Sequence, residues 1–159
     1  MVCLGNICRS PLAEGIFQRL VDERGLTERY AVDSAGTSDE HEGEAPHRGS
    51  VAVARKYGID ITAQRSRPVA LTDYGDFDWL IAMDTANRNA LRHRAPPGFD
   101  HGRIKLLLDF AEFGPRDVPD PYYSGGFEEV FRLVQDGCTG LIDRLERDRA
   151  SGGSTATSG

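Results

Sequence analysis

The residues best equipped for chemistry lie at the start of the chain, in Cys3-Leu4-Gly5-Asn6-Ile7-Cys8-Arg9-Ser10. A thiol and a guanidinium stand there with five residues between them, and that backbone can curl so that successive N–H groups point inward as an anion nest. Gly5 and Asn6 are the residue types that tolerate the left-handed angles of such a curl. A helix opening at Ser10-Pro11 would add its N-terminal dipole and free N–H groups. The planar fork of Arg9 can grip two oxygens of a bound oxyanion, and the same positive surroundings favour the thiolate of Cys3. The spacing therefore predicts a sulfur nucleophile set beneath a phosphate-like group.

Simpler uses of these residues have to be weighed. Cys3 and Cys8 could be half of a zinc knuckle, or two small buried residues in a turn. A structural zinc ion needs two further ligands, and only four histidines and Cys138 are available, scattered without ligand spacing. A bare Cys-x5-Arg is a weak motif. Its setting between a strand position and a helix start gives it weight. Asp120-Pro121 is by residue type a turn former, and Tyr122 and Tyr123 are by default surface aromatics. His41, His47, His93 and His101 read as surface residues, and Cys138 as a small apolar residue buried in the last helix.

The elements that must position these groups follow from periodicity. Leu12, Ile16, Phe17, Leu20 and Val21 recur at helical spacing after Ser10 (as cap) and Pro11, and Gly25 ends the segment. Residues 30–34 predict a short strand, and residues 50–56 a helix closed by Gly58. Residues 77–83 predict a buried strand, residues 85–93 a helix stopped by Pro96-Pro97-Gly98, and residues 103–108 another buried strand. A terminal helix is expected over residues 127–149, interrupted near Gly137, and a disordered tail over residues 151–159. Alternating strands and helices imply an α/β fold, a parallel sheet covered on both faces with its ligand site beyond the strands' carboxyl ends.

Composition narrows the class. A chain of 159 residues fits one domain, and a net charge of −6 argues against a general nucleic-acid binder. No apolar run approaches the ~20 residues of a membrane-spanning helix, and no secretory signal is evident at the start. Three cysteines, two of them close together, make a poor disulfide framework and fit a reducing cytoplasm, with leaderless export left open.

At this level of detail a resemblance is specific. Residues 2–14, VCLGNICRSPLAE, resemble the phosphate loop of the low-molecular-weight protein tyrosine phosphatases. Asp33-Ser34-Ala35-Gly36-Thr37, Phe77-Asp78-Trp79-Leu80-Ile81-Ala82-Met83-Asp84 and Val118-Pro119-Asp120-Pro121-Tyr122-Tyr123 resemble that family's later landmarks, in the expected order. The resemblance implies a single three-layer α/β/α domain over residues 1–150, with a four-stranded parallel sheet in the order 2-1-3-4. It implies hydrolysis of phosphotyrosine in proteins through a phosphocysteine. Cys3 would be the nucleophile, Arg9 the phosphate binder and Asp120 the general acid and then base. Leu4, Gly5, Asn6, Ile7 and Cys8 would supply the loop, and Ser10 a hydrogen bond to the Cys3 sulfur. Asn6 and Ser34 would brace the loop, Tyr122 and Tyr123 would line its mouth, and Cys8 would pair reversibly with Cys3 under oxidants. No cofactor, metal, nucleic acid or membrane is implied. The expected partner is a phosphotyrosine protein, with a tyrosine kinase among the candidates, and the chain is expected to be a monomer.

Three departures from that family bear on the site. Only Met1 and Val2 precede Cys3 where the family has a full first strand, so the strand is expected to be truncated and the chain marginal in stability or activity. Glu40 stands where relatives often carry an aromatic, which predicts low affinity for simple aryl phosphates, with the neighbouring His41 as a partial substitute for that ring. Gln64 stands where a histidine commonly supports the loop. Arsenate reduction is disfavoured because residues 60–100 contain no cysteine. Arginine phosphatases of the same fold carry a threonine where this chain has Ile7, and a catalytically impaired phosphate-binding module is the remaining alternative.

Overall fold

The computed structural model describes residues 1–153. Four short parallel strands, β1 (Val2–Cys3), β2 (Ala35–Gly36), β3 (Leu80–Ala82) and β4 (Ile104–Leu106), form one sheet in the order β2-β1-β3-β4. The helices are α1 (Arg9–Glu23), α2 (Arg48–Lys56), α3 (Asp73–Asp76), α4 (Thr85–Arg94), α5 (Pro121–Ser124) and α6 (Phe127–Gly153).

Strand alternation divides the interior in two. Val2, Leu80, Ala82, Ile104 and Leu106 point to one face and pack with Tyr74 and Leu91 from α3 and α4. Cys3 and Ile81 point to the other, where Leu12, Ile16, Phe17 and Val21 of α1 meet Val130, Phe131, Val134 and Ile142 of α6. Helices thus cover both faces, and the three-layer parallel fold expected from the sequence is the one observed.

Several local expectations are corrected. Helix α1 begins at Arg9, with Cys8 at the capping position and no side-chain cap; Ser10 lies inside the first turn. Its far end is as expected. Gly25 at φ +67° lets Gly25 N–H reach Asp22 O and Leu26 N–H reach Val21 O, a Schellman closure. The strand expected over residues 30–34 starts only at Ala35, and that expected from Phe77 starts only at Leu80. Ahead of β1, Met1 O accepts from Ala35 N–H, and the Met1 ammonium donates to Asp33 O. Below that level the flanking segments border a cavity of about 360 Å³ walled by Phe17, Tyr30, Val32, Trp79, Leu141 and Leu145.

At the carboxyl side, β4 ends at Leu106 and a 3₁₀ turn, Leu107–Phe110, replaces the rest of the strand expected over residues 103–108. Helix α6 runs through Gly137 without interruption. Gly137 and Gly140 serve packing: a Cβ at Gly140 would run into the Phe110 carbonyl, so glycine there lets the helix press against that turn. Of the tail expected over residues 151–159, residues 151–153 belong instead to the helix, which continues to Gly153; residues 154–159 lie outside the described residues. No described helix is long and apolar enough to cross a membrane.

Candidate active site

The loop from Leu4 to Cys8 joins β1 to α1 at the carboxyl end of the sheet. Its carbonyls are tied outward. Cys3 O accepts from Thr37 N–H (2.9 Å), Leu4 O from Ser38 N–H (2.9 Å) and Ile7 O from His47 N–H (2.7 Å). Gly5 O accepts from the Ser66 hydroxyl (2.9 Å) and Cys8 O from the Ser50 hydroxyl (3.0 Å). In a trans peptide the N–H points opposite to the carbonyl, so holding these oxygens outward turns the N–H groups that follow them inward. Asn6 makes the sharpest bend at φ +56°, the left-handed value tolerated by asparagine.

Behind the loop, Asn6 is the junction. Its Nδ2 donates to Ser10 Oγ (2.7 Å) and to Ser34 Oγ (3.0 Å), and its Oδ1 accepts from Arg67 N–H (3.1 Å). Since Ser10 Oγ already accepts from Asn6, its own proton is free for the Cys3 Sγ, 3.0 Å away. The same sulfur receives the Asn6 N–H at 3.3 Å. The Ser10 hydroxyl and the Asn6 N–H therefore converge on Sγ. Cys8 differs. Burial, followed by the nearby Cys3 and Asp120, pushes its thiol up to about 12.

Arg9 lies with its side chain almost wholly buried, which a guanidinium tolerates only when paired. One terminal nitrogen donates to Asp84 Oδ2 (2.6 Å) and to Val118 O (3.0 Å), and the other lies 3.5 Å from Asp120 Oδ2. Burial works against the charge, but Asp84, Cys3 and Asp120 outweigh it and hold the group above its ordinary value. Asp84 is itself placed by capping α4, where it accepts the Asn87 N–H at 2.7 Å. Asp120 caps α5 by accepting the Tyr122 N–H at 3.1 Å. It is thus the turn residue its type suggests, and it also borders the loop.

A cavity of about 70 Å³ brings these groups together. Cys3, Leu4, Gly5, Ile7, Cys8 and Arg9 form its floor and sides, and Glu40, Asp120, Tyr122 and Tyr123 its mouth. Asn6, Ser10 and Ser34 stand behind it through the bonds above. Gln64 does not join them: its Nε2 donates to Pro11 O (3.1 Å), on the flank of α1. Ser66 and the Arg67 N–H make the contacts to the loop from that segment instead.

His41 also lines the cavity, although its type suggested a surface residue. It hydrogen-bonds Glu44 through Nδ1 (2.7 Å) and packs against Tyr122 with ring centroids 5.7 Å apart. His47 caps α2 and stacks on Phe127. Sequence reasoning also passed over Asp84, Ser50 and Ser66. Asp84 carried one usable signal, an acid between a buried strand and a helix start.

Comparison with known proteins agrees with this geometry. The family model described as "Low molecular weight phosphotyrosine protein phosphatase" matches residues 1–151. The low molecular weight protein-tyrosine-phosphatase YfkJ of Bacillus subtilis is 45% identical over 150 residues, covering 93% of this chain and 95% of that protein. Its crystal structure superposes with a TM-score of 0.88 at 44% identity, covering 92% of each chain. A protein tyrosine phosphatase from Entamoeba histolytica gives a TM-score of 0.88 at 39% identity, over 93% of this chain and 96% of that one. A Drosophila arginine phosphatase gives 0.85 at 30% identity, over 91% and 94%. With fold, loop and relatives in accord over nearly its whole length, this chain belongs to the low molecular weight phosphotyrosine protein phosphatase family.

Proposed function

We propose that this enzyme hydrolyses phosphotyrosine in proteins, with Cys3 as nucleophile, Arg9 as phosphate binder and Asp120 as general acid and base. The observation that carries the reading is the convergence of the Ser10 hydroxyl and the Asn6 N–H on Cys3 Sγ, in the cavity that Arg9 and Asp120 border. The inward N–H groups and the helix α1 terminus receive three phosphate oxygens. Asp84 and Val118 O occupy one nitrogen of Arg9, which aims the opposite edge of its fork at the phosphoryl group.

The thiolate attacks phosphorus in line as the bond to the tyrosyl oxygen breaks, and Asp120 passes its proton to that oxygen. Asp120, now a carboxylate, takes a proton from water; the resulting hydroxide displaces the Cys3 sulfur, releasing phosphate. The Ser10 hydroxyl stabilises the departing thiolate. Splitting one displacement into two lets the same nest serve both transition states.

The test is metal-free hydrolysis of para-nitrophenyl phosphate and a phosphotyrosine peptide. Wild type is expected to be active and vanadate-sensitive, Cys3→Ser inactive, and Asp120→Asn slower by about 10²–10⁴. A folded wild type without activity on either substrate would overturn the reading. A phosphoarginine peptide is assayed in parallel, because the Drosophila arginine phosphatase shares the fold. The branched Ile7 side chain in the cavity favours phosphotyrosine, and faster turnover of phosphoarginine would replace that substrate.

A further inference from the structure

Two cavities meet at Leu4. One is the cavity of the phosphate loop, with Glu40 at its mouth. The other is an open cleft of about 620 Å³ between residues 37–39 and helix α4. Leu4 lines both and is 52% exposed, high for a leucine beside a deeply buried loop. The cleft has a small apolar floor of Leu4, Pro68, Ala86 and Ala90, and Asp39 stands on its wall next to Glu40.

The charges around this junction are unevenly committed. Glu44 is taken by His41. Asp39 and Glu40 are both exposed, and among the described residues neither carboxylate has an ion-pair partner. The one cation lining the cleft, Arg94, donates to Thr37 O at 2.6 Å and helps hold the 37–39 segment. Asn87 is buried at the cleft wall.

We propose that this cleft is a subsite for the residue next to the phosphotyrosine, and that it takes lysine or arginine. The proposal rests on the phosphotyrosine reading above. A lysine or arginine has the two parts the cleft offers places for. Its methylene stem covers Leu4, Pro68, Ala86 and Ala90, while its charged head remains in water beside Asp39 and Glu40. An acidic neighbour would set like charges against the same two carboxylates, and an alanine would leave the apolar floor wet. The cation also answers a difficulty of the site. A carboxylate at the mouth repels an approaching phosphate dianion, and a basic residue carried by the substrate offsets that repulsion. Specificity then comes from attraction to one flank and repulsion of the other.

The experiment compares kcat/KM for phosphotyrosine peptides flanked by lysine or arginine, by alanine, or by glutamate, with para-nitrophenyl phosphate as the substrate without flanks. Basic flanks are expected to exceed acidic ones by about tenfold at low salt, from two exposed carboxylates. The gap narrows as salt screens it. Asp39→Asn and Glu40→Gln should each reduce the ratio and the double variant should bring it close to one; circular dichroism and thermal unfolding verify that each variant is folded. Equal turnover of all peptides by wild type, or an unchanged ratio in the double variant, overturns the subsite and leaves the phosphotyrosine reading standing. Hydrolysis of para-nitrophenyl phosphate with no turnover of any peptide overturns that reading and the subsite with it.

Discussion

Ser10 is the residue whose local and tertiary roles differ most. Its type and its place before Pro11 suggest a helix cap, yet the helix starts two residues earlier than that cap implies and the hydroxyl faces Cys3 Sγ. Under the proposed mechanism that hydroxyl matters most when the sulfur leaves. Ser10→Ala removes a hydrogen bond to a charged group, worth about 1.5–3 kcal/mol. The expected result is a kcat lower by roughly tenfold or more, with a burst of tyrosine followed by slow phosphate release. Rapid-quench kinetics check it, and a loss confined to KM would contradict it. The other cysteines make a second prediction at this scale. Burial raises both Cys8 and Cys138 to about 12. Almost no thiolate exists on either at neutral pH, so brief iodoacetamide treatment at pH 7 should leave both unmodified. Peptide mapping reads this directly, and labelling of Cys8 ahead of Cys3 would contradict it.

Among the elements, the connection from β2 toward α3 does more than link strands. Arg67 donates to both Asp73 and Asp33, while its backbone N–H holds Asn6 and its carbonyl accepts from Gly36 N–H. One side chain therefore anchors the segment that braces the phosphate loop. Burial of Asp73 opposes its ionisation, but Arg67 and the Ala70 N–H prevail and hold its carboxyl below the usual value. A depressed folded-state value means the contribution is present above the unfolded carboxylate range and lost as pH falls through the folded one. Asp73→Asn should therefore lower the urea midpoint at pH 7, and the gap to wild type should close toward pH 3. A gap that stays constant across that range would remove Asp73 ionisation from the account. The elements themselves were largely legible. Helix spacing in α1 and the apolar runs of β3 and β4 placed them within a few residues. Their ends were not legible, because a strand ends where its neighbour stops offering partners. The 30–34 and 77–79 segments have strand composition, yet the paired ladder begins only at Ala35 and Leu80.

At the scale of the whole molecule, the proposed phosphate site should couple ligand binding to stability. The carbonyls of the loop are held from residues 37, 38, 47, 50 and 66, and Arg9 is held from residues 84 and 118. An anion bound there ties these distant segments together. Inorganic phosphate at about 100 times its Kd should add about 2.7 kcal/mol, which for a chain of this size raises Tm by roughly 5–10 °C. The shift should vanish in Arg9→Met; thermal unfolding with phosphate against chloride at equal ionic strength measures both. Sequence alone determined the α/β class, the candidate loop from Cys3 to Ser10, and the family resemblance at residues 33–37, 77–84 and 118–123. Those features depend on residue type and short spacing, which survive in one dimension. Tertiary structure alone decided that Asp84 would anchor Arg9, that His41 would pack on Tyr122 at the cavity and that Gln64 would stay out of it. Each of those outcomes joins segments tens of residues apart. Asp84 and His41 look like ordinary surface polars in their own neighbourhoods, and only the parallel sheet, by gathering its loops at one end, gives them something to hold.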